Sequence, residues 1–482
     1  MSASFYFYDL ETSGLNPRAD RIMQFAGQRT DLDFNPIGEP QNILVQLADD
    51  TLPSPAAIMV TGITPQSTLA DGMTEREFCR YFMEEIATPE TTILGYNSVR
   101  FDDEFMRHLL WRNFYDPYAW QWQDGRSRWD MLDVVRMTRA LRPEGINWPV
   151  TEEGYSTNRL ELITKLNGIE HEHAHDALAD VVALIEVTTL IKTHQPQLFE
   201  FIYSLRGKRE VAALVDPSQP KPFVYASGRY SGKFEKTTVA YPVAPAENGA
   251  VWVFDLRYNL DDLLAQEEAA AAHNAIDLNR PWRDREPWEK NYLPIMKKLQ
   301  YNRCPVVAPL GVLEKADGWK RIGLAKEQIE QNLKSLRRHP EFVERIAGAE
   351  PKAFPPAVDP ESALYDGFLD EKDRILCSAV RNNTVEDLMN FRPNFADERL
   401  PELLLHYKAK NFPTTLDNGE TEKWEAYRVA RLKRQAPSFF AELTNINKQL
   451  AKGSGWGGKS LDDCKYLVEE LSLWYQALAP GE

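Results

Sequence analysis

The N-terminal segment FYFYDLE, residues 5 to 11, has the alternation and the aromatic content of a β-strand. Residues two apart in a strand project from the same face, so Phe5, Phe7, Asp9 and Glu11 share one row. That row passes from apolar side chains to two neighbouring carboxylates, which are costly to bury unless a cation lies beside them. The segment therefore predicts a cation-requiring strand end, with a solvated strand end as the simpler alternative.

The first 195 residues alternate between strand-like and helix-like segments. The predicted strands are FYFYDLE, QFAGQRTDL, QNILVQL and TTILGYN, and the predicted helices are EREFCRYFMEEIA, DDEFMRHLLWRNF and DALADVVALIEVTTLIKTH. Strands followed by alternating helices are typical of a layered α/β fold. We therefore predict an α/β domain over residues 1–195.

The pattern changes after residue 195. The short runs KPFVYASGRY, TTVAYPVAP, AVWVFDL and CPVVAPL predict a small barrel-like β domain with helical insertions over residues 196–350. The proline-rich stretch EPKAFPPAVDPES, residues 350 to 362, is typical of a linker. Helical patterns then predict an all-α domain over residues 351–482, in which the glycine-rich GSGWGG separates two helices.

The composition indicates the cellular compartment of the protein and the kind of surface that could bind a polyanion. The formal net charge is −16, so any polyanion must bind through a local basic groove or bound cations rather than a basic surface. The four cysteines are far apart in the sequence, which argues against a zinc ribbon or a disulfide scaffold and favours a cytoplasmic protein. No export signal or long apolar run is present, so we expect no membrane association.

Two further carboxylates stand at informative positions. Asp102 follows a predicted strand-to-helix turn, and Asp180 lies about one turn inside a predicted helix. Together with Asp9 and Glu11 they supply four negative charges, which two divalent cations would balance. Mg²⁺, and Mn²⁺ in its place, prefer such oxygen ligands. A two-metal site of this kind suits phosphodiester cleavage, in which one ion activates water and the other stabilises the departing 3′ oxygen.

His175, just before the helix that carries Asp180, would supply a general base near neutral pH. Each of these residues also has a simpler interpretation. Asp102 fits an acidic first helical turn, His175 fits a solvated histidine loop, and Asp176 fits a helix N-cap.

The order of these motifs resembles a known family. DLETSG, NSVRFD and HDALAD are similar to the three motifs of the DEDDh superfamily of 3′→5′ exonucleases, and the five matching positions are Asp9, Glu11, Asp102, His175 and Asp180. More narrowly, YNSVRFDDEFMR, RNFYDPYAWQW, LRPEGINWP, NGIEHEHAHDALADV, LYDGFLDEKDR and LLLHYKAKNFP resemble the bacterial exodeoxyribonuclease I family. The resemblance implies an α/β RNase H-like exonuclease domain, an SH3-like β-barrel domain and a C-terminal all-α domain. It also implies degradation of single-stranded DNA to nucleoside 5′-monophosphates, in DNA repair and recombination.

Residues 100 to 142 contain eight arginines, no lysines and nine aromatic residues. Arginines can meet phosphates while aromatic faces stack on unpaired bases, so the segment is typical of a single-strand channel. We expect Trp111, Phe114 and Trp129 to be core residues instead. The resemblance implies substrate contacts by Glu11, Arg107, Tyr118, Trp122, Arg136 and Arg159.

The resemblance also implies a partner. Single-strand DNA-binding protein would dock its acidic C-terminal tail on a basic pocket, and Arg142 is our candidate for one wall of it. We expect the chain itself to be a monomer. Three alternative functions remain open: an RNA-trimming exonuclease of the same superfamily, a catalytically inactive nucleic-acid binding protein, and a glycosidase. The glycosidase is disfavoured because Asp9 and Glu11 are too close in sequence to flank a sugar from opposite sides.

Overall fold

The computed structural model describes residues 3–170, 176–264, 295–348, 355–453 and 455–478. The chain forms two compact units. Unit 1 comprises Met1–Arg126, Glu172–Val182 and Pro355–Glu482, and unit 2 comprises Ser127–His171 and Ala183–Phe354. The N-terminal strands and the C-terminal helices therefore belong to one packed body, although the sequence separates them by more than 200 residues.

The sheet of unit 1 is built on the predicted N-terminal strand. Its strands are β1 (Ser4–Thr12), β2 (Ile22–Thr30), β3 (Gln41–Leu44) and β4 (Thr91–Gly95), in the order β3-β2-β1-β4. Strand β1 pairs antiparallel with β2, with Asp9 opposite Ala26, and parallel with β4, with Phe7 opposite Leu94. The central position of β1 explains its aromatic composition, because both of its faces are covered.

The two rows of β1 have different surroundings. Tyr6, Tyr8 and Leu10 are buried in a core that also contains Phe25 and Phe78. On the other row, the rings of Phe5 and Phe7 lie 5.3 and 5.7 Å from the ring of Phe34. The row then becomes partly exposed at Asp9 and Glu11. The predicted passage from apolar filling to charge along this row is therefore present in the structure.

Four helices of unit 1 lie between or after these strands: α1 (Pro55–Thr61), α2 (Pro65–Asp71), α3 (Glu75–Tyr81) and α4 (Asp102–Arg112). A capping box of Thr74 and Glu77 starts α3, and a π-helical turn at Phe82–Ile86 extends it. After β4 the chain turns sharply at Asn97, which has a φ of 66°, and α4 then begins at Asp102.

Unit 2 contains a second sheet with only antiparallel neighbours. Its strands β6 (Phe223–Ala226), β7 (Thr237–Ala246), β8 (Ala250–Asp255), β9 (Met296–Gln300) and β10 (Val306–Pro309) run in the order β10-β6-β7-β8-β9. Before it come β5 (Ser127–Asp130), α5 (Met131–Leu141), α6 (Leu160–Leu166), α7 (Ala177–His194), α8 (Pro196–Ser204) and α9 (Lys208–Leu214). After β8 come α10 (Leu260–Leu264), α11 (Gly318–Arg321), α12 (Lys326–Arg337) and α13 (Pro340–Ala347). The first turns of α7, up to Val182, belong to unit 1.

The C-terminal part of unit 1 consists of helices joined by loops, with no strand among the residues described after 355. Its helices are α14 (Glu371–Asn382), α15 (Val385–Asn390), α16 (Leu400–Asn411), α17 (Asn418–Leu450) and α18 (Leu461–Leu478). A capping box of Asp417 and Glu420 starts α17. Helices α17 and α18 share a hydrophobic core with Leu52, Ile58 and Met59 from the N-terminal part of the chain.

The predicted linker is wrong in its second half. Residues 349–354 lie outside the described residues, but Pro360–Tyr365 forms a short 3-10 helix with a buried centre. There Glu361, which is 1% exposed, forms ion pairs with Arg21 and Lys410, and its carboxylate lies 3.1 Å from Nδ1 of His406. The proline-rich composition describes the backbone of this segment but not the ionic contacts that hold it.

Among the described residues, no helix has both the length and the apolar composition that crossing a bilayer requires.

Candidate active site

Three of the predicted carboxylates meet in unit 1. Asp9 and Glu11 come from β1, and Asp180 comes from the first turn of α7. Each offers an oxygen atom, and these atoms all lie within 4.8 Å of one another. In the described part of the chain this is the one group of three or more acidic, histidine or cysteine side chains close enough to hold a metal ion together.

Asp180 is positioned by the start of α7. The side chain of Asp176 accepts hydrogen bonds from the backbone N–H groups of Leu178, at 3.0 Å, and Ala179, at 3.3 Å. The backbone N–H of Asp180 then donates to the carbonyl of Asp176 at 3.0 Å. The N-cap interpretation of Asp176 is therefore confirmed, and it leaves Asp180 one turn inside the helix.

Burial and mutual repulsion dominate the electrostatics of the group. Burial, followed by the charge of Asp180, raises the pKa of Asp9 well above its ordinary value. Burial and the charges of Asp9, Asp180 and Asp176 raise the pKa of Glu11 to about 9, while Lys459 acts in the opposite direction. Positive charge beside these carboxylates would favour their ionised forms, so the donor set fits divalent cations.

Asp102 lies on α4, which follows strand β4. It is the first residue of α4 and is 4% exposed. Because β1 and β4 are parallel neighbours, the segments that follow their carboxyl ends emerge at one edge of the sheet. Among the described residues, Asp102 does not belong to the group whose oxygens lie within 4.8 Å of one another. The role of Asp102 as a fourth metal ligand therefore stays a prediction. The next residue, Asp103, accepts a hydrogen bond from the hydroxyl of Tyr8 at 2.6 Å.

His175 lies outside the described residues, together with residues 171–174. Its role as general base therefore stays a prediction.

The aromatic residues expected to contact DNA differ in exposure. Trp122 is 65% exposed, and Tyr118 is half-buried. The Arg107 guanidinium lies 5.4 Å from the centre of the Tyr118 ring. Arg107 itself is buried and donates to Glu104 at 2.8 Å and to Gln121 at 2.9 Å. In this arrangement Arg107 supports Tyr118, and its direct contact with DNA stays a prediction.

The expected contacts in unit 2 stay predictions too. Arg136 is mostly buried and paired with Asp133, whereas the Arg159 side chain is 73% exposed. Nη2 of Arg142 donates to the carbonyl of Val312 at 3.2 Å. The expectation of core positions is confirmed for Trp111, Phe114 and Trp129, which are 4%, 2% and 1% exposed.

The sequence interpretation missed Lys459 as a positive charge that lowers the pKa of Glu11. Its interaction with Glu11 joins residues from opposite ends of the chain. The available signal was its place directly after GSGWGG, a glycine-rich turn that allows a close approach of the backbone.

Family models match almost the whole chain. The Exonuclease model matches residues 6–188, the Exonuclease I SH3-like domain matches residues 206–349, and the Exonuclease I C-terminal domain matches residues 358–476. These matches confirm the predicted succession of an exonuclease domain, an SH3-like domain and a helical C-terminal domain.

Curated relatives and solved structures agree with the family models. Exodeoxyribonuclease I of Escherichia coli (strain K12) is 41% identical over 430 residues, which cover 88% of this chain and 89% of the relative. The Haemophilus influenzae protein of that name is 40% identical over 449 residues, which cover 92% of this chain and 93% of the relative. The crystal structure of E. coli Exonuclease I in complex with a dA16 oligonucleotide aligns with a TM-score of 0.89 at 37% identity, covering 99% of this chain and 100% of that one.

A moderately thermophilic Exonuclease I from Methylocaldum szegediense aligns with a TM-score of 0.88 at 37% identity, over 99% of this chain and 100% of that one. These similarities extend over the N-terminal strands, the second sheet and the C-terminal helices alike. The chain therefore belongs to the exodeoxyribonuclease I family of 3′→5′ single-strand DNA exonucleases.

Proposed function

We propose that this chain removes nucleotides from the 3′ end of single-stranded DNA and releases nucleoside 5′-monophosphates, using two Mg²⁺ ions that Mn²⁺ can replace. The observation that carries the proposal is the packing of Asp9, Glu11 and Asp180, whose oxygens lie within 4.8 Å of one another. Two observations support it. The carboxylates repel one another without cations, and the chain belongs to an exonuclease family.

Asp9, Glu11 and Asp180, with Asp102 as the fourth residue, would hold the ions. Bound divalent ions supply an activated water and stabilise the leaving 3′ oxygen. The residues of the chain position the substrate around them. His175 would take the proton of the attacking water, as the histidine of the DEDDh motif.

The oxygen donors favour Mg²⁺ or Mn²⁺ over softer metals. A zinc-bound form of an E. coli Exonuclease I–single-stranded DNA complex is also similar to this chain, with a TM-score of 0.87, which supports a divalent ion without choosing among metals.

The proposed DNA contacts are of two kinds. Trp122, exposed at 65%, and Tyr118 offer faces for base stacking, and Arg107 would act by fixing Tyr118. Arg159 and Arg136 would meet phosphates. Stacking and phosphate contacts do not read base sequence, so the proposed substrate is any unpaired DNA strand.

DNA is favoured over RNA as the substrate because solved relatives are complexes with DNA oligonucleotides. We also propose that the chain is a cytoplasmic monomer that acts in DNA repair and recombination. Single-strand DNA-binding protein would dock its acidic tail on a pocket that includes Arg142. The domain boundaries after residues 195 and 350 stay part of this proposal.

The test is incubation of the full chain with Mg²⁺ and end-labelled oligonucleotides. We expect 5′-labelled single-stranded DNA to shorten progressively and 3′-labelled DNA to release its label at once as a mononucleotide. RNA of the same sequence should persist, and EDTA should stop the reaction. Attack from the 5′ end, or faster loss of RNA than of DNA, would contradict the proposal.

A further inference from the structure

Tyr8 directly precedes Asp9 on strand β1, and its side chain projects from the opposite face of the strand. The Tyr8 ring is 1% exposed and stacks on the ring of Phe25, with the ring centres 5.9 Å apart and the planes 20° from parallel. Phe105 of α4 belongs to the same hydrophobic core. The packing of this core fixes the ring and, with it, the position of the hydroxyl group.

The hydroxyl group of Tyr8 donates a hydrogen bond to Oδ1 of Asp103 at 2.6 Å. Asp103 is 1% exposed and is the second residue of α4, directly after Asp102. The bond therefore joins the strand that carries Asp9 and Glu11 to the helix turn that carries Asp102. Because both partners are buried, separating them would leave polar groups unsatisfied, and the bond favours one distance between strand and helix.

The first turn of α4 depends on contacts from outside the helix. Its N-cap is Phe101, whose hydrocarbon side chain cannot accept the hydrogen bonds that a Ser, Thr, Asp or Asn side chain would accept there. Before it, β4 ends at Gly95, where a Cβ atom would lie 3.0 Å from the carbonyl oxygen of Tyr8 and 2.8 Å from Cβ of Ser98. The glycine lets the chain pass close to Tyr8 before the helix begins.

We propose that Tyr8 is a positioning residue for the metal site: by holding Asp103, it sets the position of Asp102 relative to the carboxylates of β1. This inference rests on the proposed function, in which Asp102 is the fourth metal ligand, and deepens it. Carboxylates that bind metals are commonly oriented by hydrogen-bonded neighbours. Here the hydrogen bond acts one residue away from the ligand, through the backbone of the first turn of α4.

The geometry also indicates which ion would depend on this hydrogen bond. Asp9, Glu11 and Asp180 have oxygens within 4.8 Å of one another, and among the described residues Asp102 does not belong to this group. One divalent ion can therefore be held without Asp102. Loss of the Tyr8 hydrogen bond should spare that ion and weaken the binding of the ion that needs Asp102.

Titration of the metal-free protein with Mn²⁺, followed by the electron paramagnetic resonance signal of the free ion, measures both binding steps without DNA or cleavage. The Asp102→Asn variant identifies the step that depends on Asp102. Tyr8→Phe should weaken that same step by about 10- to 100-fold, the usual effect of losing a group that orients a metal ligand. The other step should keep the affinity of the parent.

Tyr6→Phe is the matched control. The Tyr6 hydroxyl, two residues away on the same row of β1, donates to Oε1 of Gln41 at 2.8 Å. This variant loses a tyrosine hydrogen bond of the same kind from the same strand, and it should keep both binding steps. Melting temperatures in EDTA show whether the two variants fold. Equal weakening of Mn²⁺ binding in Tyr6→Phe and Tyr8→Phe would mean a general loss of stability and would overturn the inference.

Variants of Asp103 separate position from charge. Asp103→Asn keeps an oxygen that accepts from the Tyr8 hydroxyl, so it should keep most of the Asp102-dependent affinity. Asp103→Ala removes the acceptor and should weaken this step as Tyr8→Phe does. Equal losses for the two Asp103 variants would show that the charge of Asp103 acts instead of the hydrogen bond, and would overturn the inference. This comparison decides the question even if Tyr8→Phe does not fold.

The double variant Tyr8→Phe/Asp102→Asn tests whether Tyr8 acts through Asp102. It should lose no more Mn²⁺ affinity than Asp102→Asn alone, because the hydrogen bond then has no ligand to position. Additive losses, or unchanged binding in folded Tyr8→Phe, would make this inference wrong while the proposed function stands. A parent chain that binds fewer than two Mn²⁺ ions, or an Asp102→Asn variant that binds both as the parent does, would overturn the proposed metal site and this inference with it.

Discussion

Arg21 and Glu361 form a buried ion pair between residues 340 positions apart in the sequence. Their side chains are 3% and 1% exposed. Asp50, Lys410 and Arg431 surround the pair, and Lys410 lies 2.9 Å from Asp50. This network joins the N-terminal strands to the C-terminal helices by charge as well as by apolar packing.

We predict that Glu361→Gln lowers the free energy of unfolding by about 3–5 kcal/mol, because it leaves buried cations without their partner. Urea denaturation followed by circular dichroism would measure the change. Glu371→Gln is the matched control, because Glu371 is 80% exposed and lies 3.8 Å from Arg374. The Glu371→Gln substitution should lower the free energy of unfolding by less than about 1 kcal/mol. Equal losses for the two variants would show that the buried network contributes no more than a surface pair.

The same region predicts a pH dependence of stability. Burial, followed by the charge of Arg112, lowers the pKa of His108 from 6.5 to about 3. Between these pH values the unfolded chain binds a proton that the folded chain does not, so stability falls as the pH falls. The slope for one such group is at most about 1.4 kcal/mol per pH unit.

The pKa of Glu361 is also lowered, by its cationic neighbours Lys410 and Arg21, against the opposing effect of burial. Its stabilising effect is present above the ordinary pKa of 4.5 and is lost below it, so acid unfolding should steepen there. Denaturation midpoints across this pH range would show both effects. A His108→Gln variant should lose less stability than the parent as the pH falls from 6.5 to 4.5, while keeping the steep fall below it.

The carboxylate group predicts the opposite dependence in metal-free protein. Because the pKa of Glu11 rises from 4.5 to about 9, ionisation of Glu11 destabilises the fold increasingly as the pH rises through this range. Mg²⁺ or Mn²⁺ should therefore raise the melting temperature, and more so at higher pH. Asp180→Asn should reduce this metal-dependent shift and remove nearly all cleavage, as should Asp9→Asn. Asp71→Asn, at an exposed position of α2, should retain the shift and the cleavage rate.

His175→Ala should lower the cleavage rate by about two to four powers of ten, the usual effect of removing a general base. Binding of single-stranded DNA should be unchanged, because the imidazole would act on water rather than on the strand. Single-turnover rates at several pH values would test this. An unchanged rate and pH profile would instead favour the interpretation of His175 as part of a solvated histidine loop.

Trp122→Ala should weaken binding of single-stranded DNA by about 1–3 kcal/mol, the value of one base–aromatic stack. Trp122→Phe should retain part of that binding, because a ring face remains. Tyr466→Ala, at an aromatic position of α18 that is 57% exposed, is the control and should bind as the parent does. Fluorescence anisotropy with a homopolymer would measure the DNA affinity of all three variants. If Trp122→Ala binds as tightly as the parent, Trp122 does not contact the DNA.

The sequence predicted those features that depend on local pattern. The alternation in FYFYDLE was enough to place Asp9 and Glu11 on one row, and the acidic start of HDALAD was enough to place Asp180 in the first turns of α7. Strand β9 was not predicted, because MKKLQ carries two lysines that suggest a solvated segment. In the structure Lys297 is buried instead, with its ammonium group 4.1 Å from the centre of the Tyr225 ring.

Contacts between residues that are far apart in the sequence are not indicated by any local sequence pattern. The residues around Glu361 look like a linker because their ionic partners, Arg21 and Lys410, are far away in sequence. The same holds for the hydrogen bond that Lys459 donates to the carbonyl of Val60. A single sequence shows the periodicity of an element but not which charged residues of other elements it will meet.

The shared core of the N-terminal strands and the C-terminal helices has a consequence for synthesis on the ribosome. Leu52, Ile58 and Met59 leave the ribosome well before the α17 and α18 side chains that pack against them. Unit 1 therefore cannot finish folding until α17 and α18 have been synthesised. A chain released prematurely would present an uncovered apolar surface to chaperones and proteases, so truncated products would be degraded rather than accumulate as nucleases without their C-terminal helices.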